Sequence, residues 1–181
     1  MSITSMTFLF CFLPLSLLIY YAANDKMKNY VLVAASLTFY AIGSLDYFIL
    51  FMAALIVNIC LGRRIDKSNS IIIKRLLLIT GIFLNTGLLA YYKYKDFALV
   101  TWGNITSTDI QLKKLILPLG ISFFTFKAIS YLVDIYLGKA HLSNNSIHDA
   151  LYLSFFAQIQ SGPLTRISDF KNDSLKDRKV L

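Results

Sequence analysis

Long apolar runs separated by short charged connections leave this chain few ways to fold. Residues 7–23 and 76–92 each contain 17 residues without a charged side chain, which is near the lower limit for crossing a hydrocarbon core of about 30 Å. Residues 30–62 carry Asp46 as their only charge, and one helix of that length would extend about 50 Å. We therefore predict two helices there, separated at residues 43–46.

The composition agrees with a membrane protein. Hydrophobic residues make up 56% of the chain and charged residues 15%, whereas soluble domains have roughly 45–50% and 25%. The sequence predicts an all-α, polytopic helical membrane protein, with about five to six membrane-embedded helices in a single region over residues 1–181. The predicted helices cover approximately residues 7–23, 30–43, 46–62, 76–92, 115–137 and 147–161.

The 18 Lys and Arg residues lie at the ends of the apolar runs and not in one basic patch with interleaved aromatic residues. This distribution favours a lipid bilayer as the partner and argues against nucleic acid. Five of these cations lie between residues 63 and 75, in what we predict to be a basic loop. The positive-inside rule places that loop in the cytoplasm and the N-terminus outside.

The topology of residues 93–161 is open. Residues 98–111 are too polar to span a bilayer and are expected to form a loop or a short interfacial helix. If residues 115–137 and 147–161 both crossed, the basic C-terminal tail would lie outside, against the positive-inside rule. Pro118 and Gly120 interrupt the first segment and the second is short, so either one can be the broken or re-entrant element.

The segment 115–137 carries a polar stripe. Lys127, Ser130 and Asp134 follow one another at spacings of three and four residues, which places them on one face of a helix. Ionisable groups at membrane depth usually face a bundle interior or a wet cavity. We predict that the three line a cavity, and the alternative is that Lys127 and Asp134 reach water at opposite ends of the helix.

A second break follows at Gly162 and Pro163, which end a helix and leave carbonyl groups unpaired. Such irregular backbone is tolerated at membrane depth where it lines a cavity, so both residues are further cavity-lining candidates. Arg166 is suited to binding a phosphate or carboxylate with two hydrogen bonds. Extension of Arg166 toward lipid headgroups is an equal alternative.

The histidines and cysteines of this sequence do not form a recognisable catalytic arrangement. His141 and His148 lie in the polar stretch of residues 138–149, and we interpret both as ordinary loop histidines. Cys11 and Cys60 each lie in an apolar run, where a thiol behaves as a small hydrophobic group. The sequence therefore predicts no catalytic residue, no metal site and no bound cofactor.

A resemblance to a known family rests on motifs spread along the chain. The stretch LPLGISFFTF at 117–126 and GPLTR at 162–166 carry most of it, with the other matching residues between and before them. They are Ser130-Tyr131, Asp134-Ile135-Tyr136, Asp149, Leu151-Tyr152, Phe155-Phe156 and, upstream, Phe12-Leu13-Pro14, 29–40 and Tyr92-Lys93-Tyr94. In this order and spacing they resemble the membrane-bound O-acyltransferase family, in its bacterial branch of alginate, peptidoglycan and teichoic acid acyltransferases.

The resemblance implies the N-terminal part of such an enzyme. Family members pass an acyl group from a cytoplasmic thioester donor, here expected to be acetyl-CoA or a similar thioester, to a hydroxyl of a cell-envelope polysaccharide or relay partner. The family histidine associated with catalysis lies on a later helix, and neither His141 nor His148 matches its motif. Lys127 stands where the family commonly has Gln, and Ala157 where it has Pro.

Further expectations follow from the resemblance. The protein is expected in a bacterial cytoplasmic membrane, together with a missing C-terminal half or a second polypeptide and with an extracytoplasmic acetyltransferase or acyl-carrier partner. We expect the chain to be inactive alone. The competing hypothesis is a non-enzymatic membrane scaffold, either transporter-like or an assembly subunit.

Overall fold

The described part of the chain is helical. The computed structural model describes residues 5–25, 27–43, 45–106, 118, 120–140, 142, 145–159 and 165–167. The helices are α1 (Leu13–Ala22), which continues a π-helical turn over Phe8–Phe12, α2 (Lys28–Gly43), α3 (Phe48–Lys67), α4 (Ile71–Thr106), α5 (Ile121–Tyr136), α6 (Ser146–Ser154) and α7 (Phe156–Ile159). No strand occurs among these residues, which confirms the all-α prediction for them.

Two segments in the described ranges have the length and composition of membrane spans, namely Leu45–Lys67 and Ile71–Lys95. The first consists of a 3₁₀ turn, Leu45–Tyr47, followed by α3. The apolar helix Phe8–Ala22 is shorter. A helical membrane protein accounts for these segments, while the number of crossings and the re-entrant elements stay predictions.

The predicted basic loop at residues 63–75 is wrong. Only Ser68, Asn69 and Ser70 lie between α3 and α4, and the five cations belong to the adjoining helices. Arg and Lys are good helix formers, and Arg64 and Lys67 in the last turn of α3 complement the negative end of its dipole. The basic residues therefore extend the two helices instead of separating them.

The prediction that the fourth helix ends near residue 92 is also wrong. Helix α4 continues to Thr106, through most of the stretch expected to form a loop or an interfacial helix. Its 36 residues correspond to about 54 Å, more than a hydrocarbon core requires. No proline interrupts it, and the Thr101 hydroxyl donates to the Phe97 carbonyl oxygen at 2.8 Å, so polarity alone does not end the helix.

The last helices differ from the prediction in their bounds. Helix α5 begins at Ile121, after Gly120 in a left-handed conformation with φ 65°, and residues 115–117 and 119 lie outside the described ranges. The predicted helix 147–161 is divided at Phe155, whose ψ is 113°. The amide N–H of Phe156 donates to the Ser36 hydroxyl of α2 at 3.2 Å instead of continuing the helix.

Helix α5 forms the centre of the core. It packs against α3, α4 and α6, and nine of its 16 residues are buried. Two close approaches explain how it lies so near its neighbours. A Cβ added at Gly62 of α3 would come 2.5 Å from the Tyr131 ring, and one added at Gly81 of α4 would come 2.4 Å from Leu132.

A smaller aromatic cluster joins the N-terminal helix to α2 and α7. It contains Phe8, Phe39 and Phe156, with Phe12 packed against them. The Phe8 ring meets the Phe39 ring edge to face at a centroid distance of 5.4 Å. This cluster holds α7, and with it the polar residues described next, against the rest of the bundle.

Candidate functional site

Lys127 lies inside the helical bundle. Its side chain is buried, with 4% of the residue exposed, and the ammonium nitrogen lies 4.6 Å from the centre of the Tyr152 ring. The same nitrogen donates a hydrogen bond to Gln158 Oε1 on α7. A buried cation is thus held by an aromatic face and an amide oxygen, both of which favour its charged form.

Gln158 and Tyr152 continue this contact toward residues 165–167. Gln158 Nε2 donates to the Thr165 hydroxyl at 3.1 Å, and the Tyr152 hydroxyl donates to the Thr165 carbonyl oxygen at 2.9 Å. Thr165 is therefore fixed by two side chains. We call Lys127, Tyr152, Gln158 and Thr165 the lysine cluster.

A salt bridge lies close to the lysine cluster. Arg63 of α3 donates from Nη2 to Asp149 Oδ2 of α6 at 3.2 Å, and the Asp149 side chain is fully buried. Tyr131 stacks on Tyr152 at a centroid distance of 6.2 Å, which connects the salt bridge to the lysine cluster through α5. A buried lysine, a buried carboxylate and a half-buried arginine thus lie among α3, α5 and α6.

The same region holds buried polar atoms without a hydrogen-bond partner in the described part of the chain. They are Asp134 Oδ2, the Tyr131 hydroxyl and the Thr125 hydroxyl. Both Asp134 and Tyr131 are at least nine-tenths buried. Unpaired polar groups of this kind cost about 1–3 kcal/mol each and are uncommon in finished protein interiors.

The structure brings some of the predicted site residues together. Lys127 and Asp134 are buried and Ser130 is half-buried on the same helix, so the alternative that Lys127 and Asp134 reach water does not hold. The Arg166 side chain is exposed, although its neighbour Thr165 joins the lysine cluster. Gly162 and Pro163 lie outside the described residues, and cavity lining by all six candidates stays a prediction.

His148 fell within both the predicted helix 147–161 and the predicted polar loop, and the structure agrees with the helix. Helix α6 begins at Ser146, after Asn145 accepts a hydrogen bond from the Ile147 amide at 3.1 Å, so His148 lies in a helix and not in a loop. Its Nδ1 is 3.4 Å from the side-chain nitrogen of Asn29. His141 lies outside the described residues.

Sequence reasoning missed four polar residues of this region. Gln158 follows an apolar stretch, a signal of the same kind as the one that identified Lys127, and could have been found, whereas Asp149 ends the polar stretch of residues 138–149 and gave no such signal. Arg63 was assigned to a loop, which concealed its pairing. Tyr131 gave no signal beyond its place in the resemblance, because tyrosine is common in both cores and interfaces.

The arrangement can hold a polar group inside an apolar bundle. The lysine ammonium has three N–H groups, and one of them donates to Gln158. An anionic or strongly polarised oxygen brought beside it would be stabilised in a medium of low dielectric constant. Within the described ranges, no group of three or more His, Cys, Asp or Glu side chains is placed to bind a metal ion.

The described residues form a helical bundle with two apolar helices of spanning length and a charged cluster buried inside. These features define a class, the helical membrane proteins with an internal polar site. Relatives of the chain make the class more specific. It is 34% identical over 174 residues to the probable alginate O-acetylase AlgI of Pseudomonas aeruginosa, covering 93% of this chain and 34% of that protein. It is 33% identical over 191 residues to the peptidoglycan O-acetyltransferase of Helicobacter pylori, covering 90% of this chain and 36% of that protein.

The chain is thus a homologue of an alginate O-acetylase and a peptidoglycan O-acetyltransferase, which agrees with the resemblance found in the sequence. The chain spans about a third of the length of the relatives it matches. The chain matches no family model and no solved structure.

Proposed function

We propose that this chain forms part of a membrane O-acyltransferase that moves an acyl group, most simply acetyl, from a cytoplasmic thioester donor to a hydroxyl outside. The acceptor is a cell-envelope polysaccharide or a relay partner, and acetyl-CoA is the simplest donor. The proposal combines the names of the relatives, which are O-acetyltransferases, with a buried polar site of the kind that such a transfer requires.

The observation that carries this proposal is the burial of Lys127. Placing an ammonium in an apolar bundle is costly unless it is paired, and here it is matched by a neutral amide oxygen and a ring rather than by a carboxylate. Among the described residues no carboxylate pairs with it, so an anionic ligand could do so. In the proposed enzyme the ammonium faces the donor's thioester oxygen or phosphates and stabilises negative charge there.

The topology of the proposed enzyme follows from the cations at the connection of α3 and α4. We propose that this end of both helices lies in the cytoplasm, with the N-terminus outside, because the positive-inside rule favours that side for a cluster of cations. The cluster consists of Arg63, Arg64, Lys67, Lys74 and Arg75. The protein is then a multi-pass protein of the bacterial cytoplasmic membrane. The donor approaches from the end of the bundle that carries these residues.

The proposed enzyme needs further protein. We propose that the general base or acyl relay is supplied by polypeptide outside this sequence, either in the same protein or in a second subunit, and that an extracytoplasmic acetyltransferase or acyl carrier receives the acyl group. In this scheme the lysine cluster binds and orients the donor. Proton transfer is assigned to the polypeptide that supplies the general base or acyl relay.

A hybrid protein tests the proposal. The matching 174 residues of the Pseudomonas aeruginosa alginate O-acetylase are replaced by this chain, and the hybrid is expressed in a strain lacking its own acetylase. We expect acetylated alginate, measured by ester content, and we expect Lys127→Met to lower it at least tenfold. The matched control is Lys139→Met, because that lysine is exposed and should leave acetylation unchanged.

The outcomes separate the two functional hypotheses. A hybrid that reaches the membrane in normal amount but leaves alginate unacetylated contradicts the proposal and favours the non-enzymatic scaffold. Full acetylation by the Lys127→Met hybrid would contradict only the role proposed for the lysine cluster. The proposed transferase function would stand.

A further inference from the structure

A groove lies at the end of the α3–α4 pair that carries the five cations. It has a volume of about 540 Å³ and is lined by Cys60, Arg64 and Lys67 of α3, by Ser68 after it, and by Ile73 and Leu77 of α4. The groove is separate from the lysine cluster, none of whose residues line it. Its two walls differ sharply in chemistry.

The basic wall is formed by the last turns of α3. Arg64 and Lys67 are three residues apart, so they lie on the same face of the helix, and both are exposed. Neither forms an ion pair within the described part of the chain. Arg63 also borders the groove, but its guanidinium is committed to Asp149.

The apolar wall is formed by the first turns of α4. Ile73 and Leu77 are four residues apart and therefore adjacent on that helix, and Ile73 is 51% exposed. The α4 segment that they begin, Ile71–Lys95, is one of the two spans apolar enough to cross a membrane. The apolar wall thus belongs to a helix that is itself apolar enough to lie in lipid.

We propose that this groove binds one anionic phospholipid. The phosphate lies between Arg64 and Lys67, and the first methylene groups of an acyl chain pack on Ile73 and Leu77. A soluble phosphate compound would use the basic wall but would leave the apolar wall in water. Cations near an anionic surface each strengthen binding about fivefold, and the apolar wall adds the specificity for a chain-bearing ligand.

Lipid binding to the purified chain tests this proposal. The chain is prepared in a neutral maltoside detergent, mixed with dioleoyl phosphatidylglycerol or with dioleoyl phosphatidylcholine, and examined by native mass spectrometry for bound lipid. We expect one phosphatidylglycerol to be retained with at least tenfold preference. The double variant Arg64→Gln/Lys67→Gln should lower its retention about twentyfold.

Two further variants make the result specific. The double variant Lys93→Gln/Lys95→Gln removes the same charge from the other end of the α4 span and should bind phosphatidylglycerol as the parent chain does. Ile73→Gln changes the apolar wall without altering charge and should lower phosphatidylglycerol retention by several-fold.

Three results would overturn the proposal. They are equal retention of phosphatidylcholine, equal loss of binding in the Lys93→Gln/Lys95→Gln control, and displacement of phosphatidylglycerol by equimolar coenzyme A or inorganic phosphate. The last result would identify the groove as a site for a soluble phosphate compound. Because Arg64, Lys67, Ile73 and Lys93 are exposed and Lys95 is half-buried, each variant is expected to keep the helicity of the parent chain by circular dichroism.

Discussion

Two asparagines join α3 to α4 by hydrogen bonds, and they allow a quantitative test of what stabilises the contact between these helices. Asn58 Nδ2 donates to Asn85 Oδ1 at 3.1 Å, and Asn85 Nδ2 donates to Asn58 Oδ1 at 2.8 Å. The second N–H of each amide donates at 2.8 Å to the carbonyl oxygen four residues earlier in its own helix. Every N–H of the pair is satisfied, and both residues are buried.

The expected energies follow from this geometry. An interhelical hydrogen bond in a membrane protein contributes about 0.6 kcal/mol on average, so the two bonds together contribute about 1.2 kcal/mol. Changing only Asn58 to Leu also leaves one N–H and one carbonyl oxygen of Asn85 unpaired, at about 1–3 kcal/mol. We expect each single Asn→Leu variant to lose about 2–4 kcal/mol of unfolding free energy.

The double variant should behave differently. With both amides replaced by Leu, no polar group is orphaned, because the carbonyl oxygens of the helices keep their backbone bonds. A hollow of about 190 Å³ beside the pair gives the leucine side chains room. We expect Asn58→Leu/Asn85→Leu to lose about 1 kcal/mol or less, so that it is more stable than either single variant.

Unfolding by dodecyl sulfate in mixed maltoside micelles, followed by circular dichroism, measures these differences. The control is Thr86→Leu, which replaces the exposed neighbour of Asn85 on α4 and should change the unfolding free energy by less than about 0.5 kcal/mol. Strictly additive losses in the two single variants and their combination would refute the reasoning, since additivity means that the two amides do not depend on each other.

Two further pairs of variants test the packing of α3 against α5 and α6 in the same assay. Gly62→Ala should lower the unfolding free energy by about 1–3 kcal/mol because its Cβ would meet the Tyr131 ring at 2.5 Å. Gly87→Ala, where nothing lies within 4 Å, should be neutral or stabilise the protein by up to about 1 kcal/mol. Equal effects at the two positions would contradict the close approach. Arg63→Met should lower the unfolding free energy by about 3–5 kcal/mol because it leaves the buried Asp149 carboxylate without its salt bridge. Arg63→Lys should recover part of the loss. An unchanged unfolding free energy in Arg63→Met would mean that the salt bridge is not formed.

The sequence predicts the helical class and part of the site for clear physical reasons. Lipid-compatible helices need about 20 apolar residues, and such runs are visible without a structure. A charge within such a run, as at Lys127, is rare enough to signal a special environment. That Lys127 and Asp134 share one face of a helix follows from their spacing alone.

The partners of these residues could not be predicted in the same way. Gln158 reaches Lys127 only because the chain bends at Phe155, and that bend depends on a hydrogen bond from Phe156 to Ser36, 120 residues earlier. The extension of α4 to Thr106 was missed because polarity was taken to end a helix. Hydrogen bonding in a helix continues through polar residues when no proline or strong competing cap intervenes.

The buried polar contacts of this bundle separate into two kinds, and the difference bears on function. Between helices in lipid, apolar burial gives little drive for association, so polar contacts are needed merely to fix the packing. The pair Asn58 and Asn85 fits that purpose, because all of its N–H groups are satisfied within the two helices. The α5 face is different, since Asp134 Oδ2 and the Tyr131 hydroxyl have no partner among the described residues. A contact that served packing alone would gain by satisfying or removing these groups, so the α5 face is not explained by packing among the described residues alone.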